Sequence, residues 1–127
     1  MVRPSSAKCT AELVKFSGAL PEVEQRRGGE GSRHIAFTVR GRTFCYLTDD
    51  HHGDRRLGLI VKAPPGVAGV LVVSEPDRFY VPPYIGHRGW VGLWLDRAPV
   101  DWAEVRELFV ESYCLTAPKK LVAALGE

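Results

Sequence analysis

The chain has 127 residues, 45% of them hydrophobic and 25% charged, with a formal net charge of +2. That length suits one domain, 1–127, with a core of its own, and the small net charge excludes a surface coated throughout in basic residues. Binding by charge therefore has to come from local clustering. No segment approaches the ~20 apolar residues of a membrane span, and no apolar run follows the basic start "MVRPSSAKC" as in a secretory leader. Cys9, Cys45 and Cys114 are odd in number and widely spaced, without a CxxC pair. This argues against a disulfide framework and a zinc site and for reduced, packed thiols in a cytoplasmic protein.

A first helix is expected from Ser5 or Ser6 to about Ala19, with Cys9, Leu13, Phe16 and Leu20 on one apolar stripe and Pro21 as its stop. Residues 24–33, "EQRRGGEGSR", have no periodicity and read as a loop. Ile35, Phe37 and Val39 alternate as a strand, "RGR" is a tight turn at Gly41, and "TFCYL" returns as a second strand. "TDDHHGD" is a loop and "LGLIVK" a third strand, with Leu57, Leu59 and Val61 on one side. "PPGVAGVLVVSEP" fits strand by propensity and helix by spacing. "RFYV" is a short strand, and "PPYIGHRG" is a loop because Pro82 and Pro83 cannot join a central ladder. In "WVGLWLD" Val91, Leu93 and Leu95 share one face, and Trp90 and Trp94 the other. Asp101 and Glu104 form an N-terminal box for a helix burying Trp102, Val105, Leu108, Phe109 and Tyr113, with Glu104, Glu107 and Glu111 facing water. Pro118 ends it before a short terminal helix. Helices and strands do not alternate strictly, so the class is α+β: an antiparallel sheet covered on one face by helices.

The run "PPYIGHRGWVGLWLD" followed by "DWAEVRELFVESYCLTAPKKLVAAL" resembles the MmcQ/YjbR family of small bacterial proteins. "ALPEVEQ", "FTVRGRTFCYL" and "LIVKAPP" extend the likeness upstream over nearly the whole chain. The resemblance implies a CyaY-like (frataxin-like) fold and makes the ambiguous segment a helix, for the order α-β-β-β-α-β-β-α-α. It also implies DNA binding through a pair of hairpin wings. Residues 25–33 depart from the family pattern, being rich in arginine and glycine.

On that reading the protein is a non-enzymatic module for duplex DNA. Arg40 and Arg42 at one hairpin tip, and Arg88 with Lys119 and Lys120 near the other, contact phosphates. Tyr84 and Trp90 position the second wing, and His87 adds a donor whose charge changes near neutral pH. Arg26, Arg27 and Arg33 extend the basic patch. The competing reading takes Tyr84, Trp90 and Trp94 as an uncovered apolar surface for a flat small molecule or a protein. No cofactor or metal is expected. "GGEGSR" lacks the phosphate-loop pattern, Asp49, Asp50, His51, His52 and Asp54 read as a polar loop, and the first helix carries one acid, Glu12, where frataxin-type iron binding uses an acidic ridge. Ser112 is expected to bond a carbonyl one turn back. Cys45 and His34 lie on neighbouring strands, with no sign of an activated thiolate.

Overall fold

Helix α1 (Ser6–Ser17) forms where its stripe predicts, and Cys9, Leu13 and Phe16 are buried, as is Leu20 in the turn that follows. The computed structural model describes residues 6–28, 34–49, 57–82, 85–96 and 100–125. Strand β1 (Val23–Arg27) corrects the expectation of a loop: it pairs antiparallel with β2 (Ile35–Val39), from Val23 opposite Val39 to Arg27 opposite Ile35. It is an edge strand whose last four residues are exposed, so it has no apolar alternation to reveal it.

The chain continues through β3 (Arg42–Asp49), β4 (Leu57–Lys62), α2 (Val67–Ser74), β5 (Phe79–Tyr80), β6 (Trp90–Trp94), α3 (Trp102–Thr116) and α4 (Lys119–Ala124). The observed order is α-β-β-β-β-α-β-β-α-α, one strand more than the sequence suggested. Six strands form one antiparallel sheet in the order β1-β2-β3-β4-β6-β5. The ambiguous segment is the helix α2. Its Ala68, Leu71 and Val72 pack on the core while Val70 and Val73 face solvent.

Among the described residues, the helices α1 to α4 all pack into one core against one face of the sheet. Ile35, Phe37 and Val39, then Leu57, Leu59 and Val61, then Val91 and Leu93 supply the sheet's side of it. Phe109 of α3 is the hub. Its ring meets Phe37 at 5.3 Å and Phe44 at 5.1 Å, both near edge-on, and Phe16 at 6.2 Å. Such buried phenylalanines each contribute about 3–5 kcal/mol against truncation to alanine. Asp101 caps α3 by accepting from the Ala103 and Glu104 amides. Glu104 does not close the expected box in return, but pairs with Arg78, which also bonds Glu75.

Strand β3 carries a bulge. Phe37 sits opposite Cys45 and Thr38 opposite Thr43, leaving Phe44 without a partner on β2. The β3–β4 ladder also ends there, at Cys45 opposite Val61. Ser112 fills the gap: its hydroxyl accepts the Lys62 N–H at 2.8 Å and donates to the Phe44 carbonyl at 2.5 Å. The expected bond one turn back does not form, because the bulge leaves the strands' own polar groups closer and otherwise orphaned. Ser112→Ala strands both groups. It should lower stability by about 2–4 kcal/mol in urea unfolding, and a loss below 1 kcal/mol would show that the bridge is dispensable.

Candidate functional site

Antiparallel registers decide which residues meet. Val39 opposite both Val23 and Arg42, Cys45 opposite Val61 and Lys62 opposite Trp90 place one set of strand termini at a single end of the sheet. That end holds the β2–β3 turn with Arg40, then Arg42, Lys62, Val81 and the corner from Ile85 into Trp90. Lys120 on α4 joins them, near enough for its charge to act on Glu22. Lys119 precedes it and is likewise exposed. Arg26 and Arg27 lie toward the other end of β1, with Arg27 opposite Ile35 and Leu47 beyond it. They do not join the hairpin-tip arginines as the sequence suggested, since a strand advances ~3.3 Å per residue.

The loop before β6 is a built corner. Gly86 donates to the Pro82 carbonyl, one turn of tight helix spans Gly86–Arg88, and Gly89 takes φ 85°. That left-handed backbone, costly for other residues, turns the chain into β6, and the Gly89 carbonyl accepts the Ala63 N–H at 3.0 Å. Arg88 is left exposed at this corner. Tyr84 and the His87 side chain lie outside the described residues, as do Arg33, Asp50, His51, His52 and Asp54.

The face of the sheet away from the core is lined by side chains of the other parity: Tyr46 on β3, Ile60 and Lys62 on β4, Tyr80 on β5, Trp90 and Trp94 on β6. The expectation of two uncovered tryptophans is corrected here. Trp90 is only 8% exposed. Its ring meets Tyr46 at 5.6 Å, and the Lys62 Nζ lies 5.3 Å from its centroid. Trp94 stacks on Tyr80 at 3.9 Å. Trp90 is covered by neighbours from its own sheet and is a wall that positions other groups, while Trp94 stays half-buried in its stack with Tyr80.

The Tyr80 ring lies over two glycines. A Cβ on Gly92 would fall 2.1 Å from it, and one on Gly58 2.4 Å from its hydroxyl. Gly92→Ala must therefore push the ring out of its stack with Trp94. The expected outcome is a loss of about 1–3 kcal/mol, with a change in near-ultraviolet circular dichroism. In a Tyr80→Ala background the same substitution should cost less. Full stability in the single variant would contradict the packing.

At the hairpin tip Arg40 and Gly41 both have positive φ, 51° and 79°, between the paired Val39 and Arg42. This is the φ pattern of a type I′ turn. Arg40 does not face solvent unpaired. Its Nε and one terminal nitrogen bond both oxygens of Glu22 at 2.7 and 2.9 Å. Glu22 itself has φ 60°, and the Tyr113 hydroxyl fixes the adjacent backbone by donating to the Pro21 carbonyl at 2.7 Å. The hydrogen bonds from Arg40 hold the Glu22 carboxyl below its ordinary pKa. A carboxylate so lowered stabilises the tip above its unfolded pKa, and that contribution is lost as pH falls through the folded value. Carbon-detected titration of Glu22 should therefore give a midpoint that rises when Arg40 is replaced by alanine. An unchanged midpoint would show that the pair does not persist in solution.

Sequence reasoning passed over Lys62 and Glu22. Lys62 was legible as the even-numbered neighbour of the Leu57, Leu59 and Val61 row, whereas nothing local marks Glu22. Cys45 and His34 do not meet: Cys45 sits opposite Phe37, while His34 Nδ1 accepts the Asp49 N–H at 3.2 Å. Burial pushes the Cys45 thiol well above its ordinary pKa, the reverse of what a nucleophile needs. No disulfide joins Cys9, Cys45 or Cys114. Among the described residues no group of histidine, cysteine and carboxylate side chains is placed to hold a metal ion. Among them, too, no helix is long and apolar enough to cross a membrane.

A helix-backed antiparallel sheet with cations gathered at one end defines a small α+β protein, and its lineage is plain from comparison. The YjbR family model matches residues 18–115, and the chain belongs to the YjbR family. The crystal structure of the Deinococcus radiodurans protein DR2400, whose domain is described as DUF419, has a similar fold. It superposes with a TM-score of 0.71 at 22% identity over 92% of this chain and 87% of that one. No curated protein matches the chain.

Proposed function

We propose that this protein is a non-enzymatic module that binds duplex DNA through phosphate contacts at the basic end of its sheet. The observation that carries the reading is convergence. Arg42, Arg88 and Lys120 come from three separate stretches of sequence and reach one end of one sheet, Lys119 stands beside Lys120, and Arg40 lies with them in its pair with Glu22. Phosphate contacts need cations held at fixed spacing more than they need high total charge. The type I′ tip and the bonded corner before Trp90 provide two such mounts, in keeping with the hairpin wings that the family resemblance implies. Tyr84 and His87 belong to the second wing on this reading, and Trp90 sets its angle from beneath.

Fluorescence anisotropy with a labelled duplex tests this. Four or five phosphate contacts give a slope of log affinity against log salt of about −4, at ~0.9 per contact. Raising salt from about 50 to 200 mM should then weaken binding by roughly 10²–10³-fold. Arg88→Ala and Arg42→Ala should each weaken it further and reduce the slope by about one contact. Absence of binding at low salt, or variants that bind as tightly as the parent chain, would overturn the reading. A ligand held by apolar contact with Trp94 and Tyr80 would show affinity indifferent to salt.

A further inference from the structure

Helix α2 is bare where a helix of its composition should be covered. Residues 63–74 hold no charged side chain, the longest such run in the chain. One side of the helix packs as an apolar side should: Ala68, Leu71 and Val72 lie on the core. The other side faces solvent and is just as apolar. Val70 is 63% exposed and Val73 82%, and Gly66, Gly69 and Ser74 lie exposed along the same stripe. A helix that is hydrophobic all round is ordinarily buried all round, and an exposed apolar stripe marks a contact surface.

Gly69 sits in the middle of that stripe. Its backbone is ordinary helix, outside the left-handed region that needs glycine, and a Cβ there would meet nothing within 4 Å. Nothing within the chain requires a glycine at this position, and glycine weakens a helix relative to alanine. On an outward face it does let a second backbone approach closely. The charges at the two ends of the helix indicate which backbone. Gly66 brings no side-chain cap to the N-terminus, and the first turn holds no acid and the last turn no base. The exposed acid is Asp77, just past the C-terminus, in the turn where the Arg78 N–H donates to the Glu75 carbonyl. Both ends thus lack the charge that the helix's own dipole favours. A second copy laid antiparallel supplies each N-terminus with the other's acid. The spacing agrees. With a twofold axis midway between Val70 and Val73, the partner's Val73 meets Val70, the partner's Ser74 meets Gly69, and the partner's Asp77 comes to Gly66.

We infer that the outer face of α2 is a self-association surface, on which a second copy of this chain packs its own α2 antiparallel about a twofold axis. The flanks disfavour a lipid surface as the occupant. Helices that lie on membranes carry lysine and arginine beside the apolar face, whereas residues 63–74 carry none and Asp77 follows them. Size sets the kind of dimer. Eight helical residues span ~12 Å, and their outer face falls well short of the ~800 Å² that each side of a stable interface buries. The dimer is therefore weak and forms as concentration rises. It is independent of the duplex reading, whose residues are not on α2.

Sedimentation equilibrium of the full chain, from about 10 μM to about 1 mM, should show a reversible monomer–dimer equilibrium. Val73→Glu buries an unpaired charge in the contact and should raise the dimer dissociation constant at least about tenfold, as should Val70→Lys. Both positions are exposed in the single chain, so circular dichroism should not change. Mixed in equal amounts, the two variants should associate again, because the register sets one substituted position against the other and opposite charges then meet. Gly69→Ala separates a contact from a merely structural role. It should raise the urea midpoint of the monomer through helix propensity and yet weaken the dimer. A chain that stays monomeric over the whole range overturns the inference, as does association that ignores Val73→Glu and Val70→Lys. Failure of the two variants to recover on mixing overturns the antiparallel register, and a dimer indifferent to Gly69→Ala overturns the close packing. A monomeric chain that sediments with vesicles of phosphatidylcholine and phosphatidylglycerol, and loses this with Val73→Glu, also overturns the inference and assigns the face to lipid.

Discussion

Where β3 bulges at Phe44, the backbone runs out of partners on both sides, and the Ser112 hydroxyl stands in for the missing ladder bond. Much of the molecule follows from that one bridge. The bulge turns Phe44 inward, where its ring meets Phe109 at 5.1 Å and Tyr113 at 5.5 Å. Tyr113, one residue after Ser112, then reaches past the sheet to hold Pro21. A buried polar side chain of this kind fixes register as well as energy: slipping α3 by one turn would leave three polar groups unmatched. Helix, bulged strand and first turn are thus set relative to one another by a few atoms.

The same bridge separates the β2–β3 hairpin from β4 beyond Cys45 and Val61. Toward the tip β3 is then free of β4, while β2 stays paired with β1 and β3 as far as Val39, and the turn beyond is further held by the Arg40–Glu22 pair. Both members of that pair occupy left-handed backbone, at 51° and 60°. Neither is a residue type that favours this region. The turn geometry and the ion pair therefore support each other, because the conformations that cost free energy locally are the ones that aim the two side chains together. The charge balance at this end differs from position to position as a result. Arg40 is neutralised in place, Arg88 is exposed, and Lys62 shares its surroundings with a second cation.

Much of the architecture was legible because the core side of most elements carries a clear period. The stripe of Cys9, Leu13 and Phe16, the alternation of Ile35, Phe37 and Val39, and that of Val91, Leu93 and Leu95 all bury as their spacing implies. The failures have physical causes. Strand β1 is held by backbone bonds to β2 while its side chains stay in water, so its composition carries no strand signal. Helix α2 is apolar all round, with Val70 and Val73 exposed, so periodicity could not separate it from a strand. Trp90 follows the parity expected of it but is hidden by Tyr46 and Lys62. A face that none of the described helices covers can still cover itself, and sequence parity gives direction without giving neighbours. Arg40 and Glu22 are 18 positions apart, and only the hairpin's register brings them together.

The two borders of the sheet are finished in different ways. On one side, β1 lines its outer rim with Glu24, Gln25, Arg26 and Arg27, all in water. On the other, β5 is two residues long, and the Tyr80 ring spreads back over its neighbours. Charge on the first rim and brevity on the second both discourage a further strand from docking. A molecule whose described helices all lie on one face of its sheet would otherwise invite growth by strand addition into fibres. Here assembly of that sort is blocked at the margins, which leaves the surface itself at liberty to evolve contacts with other molecules.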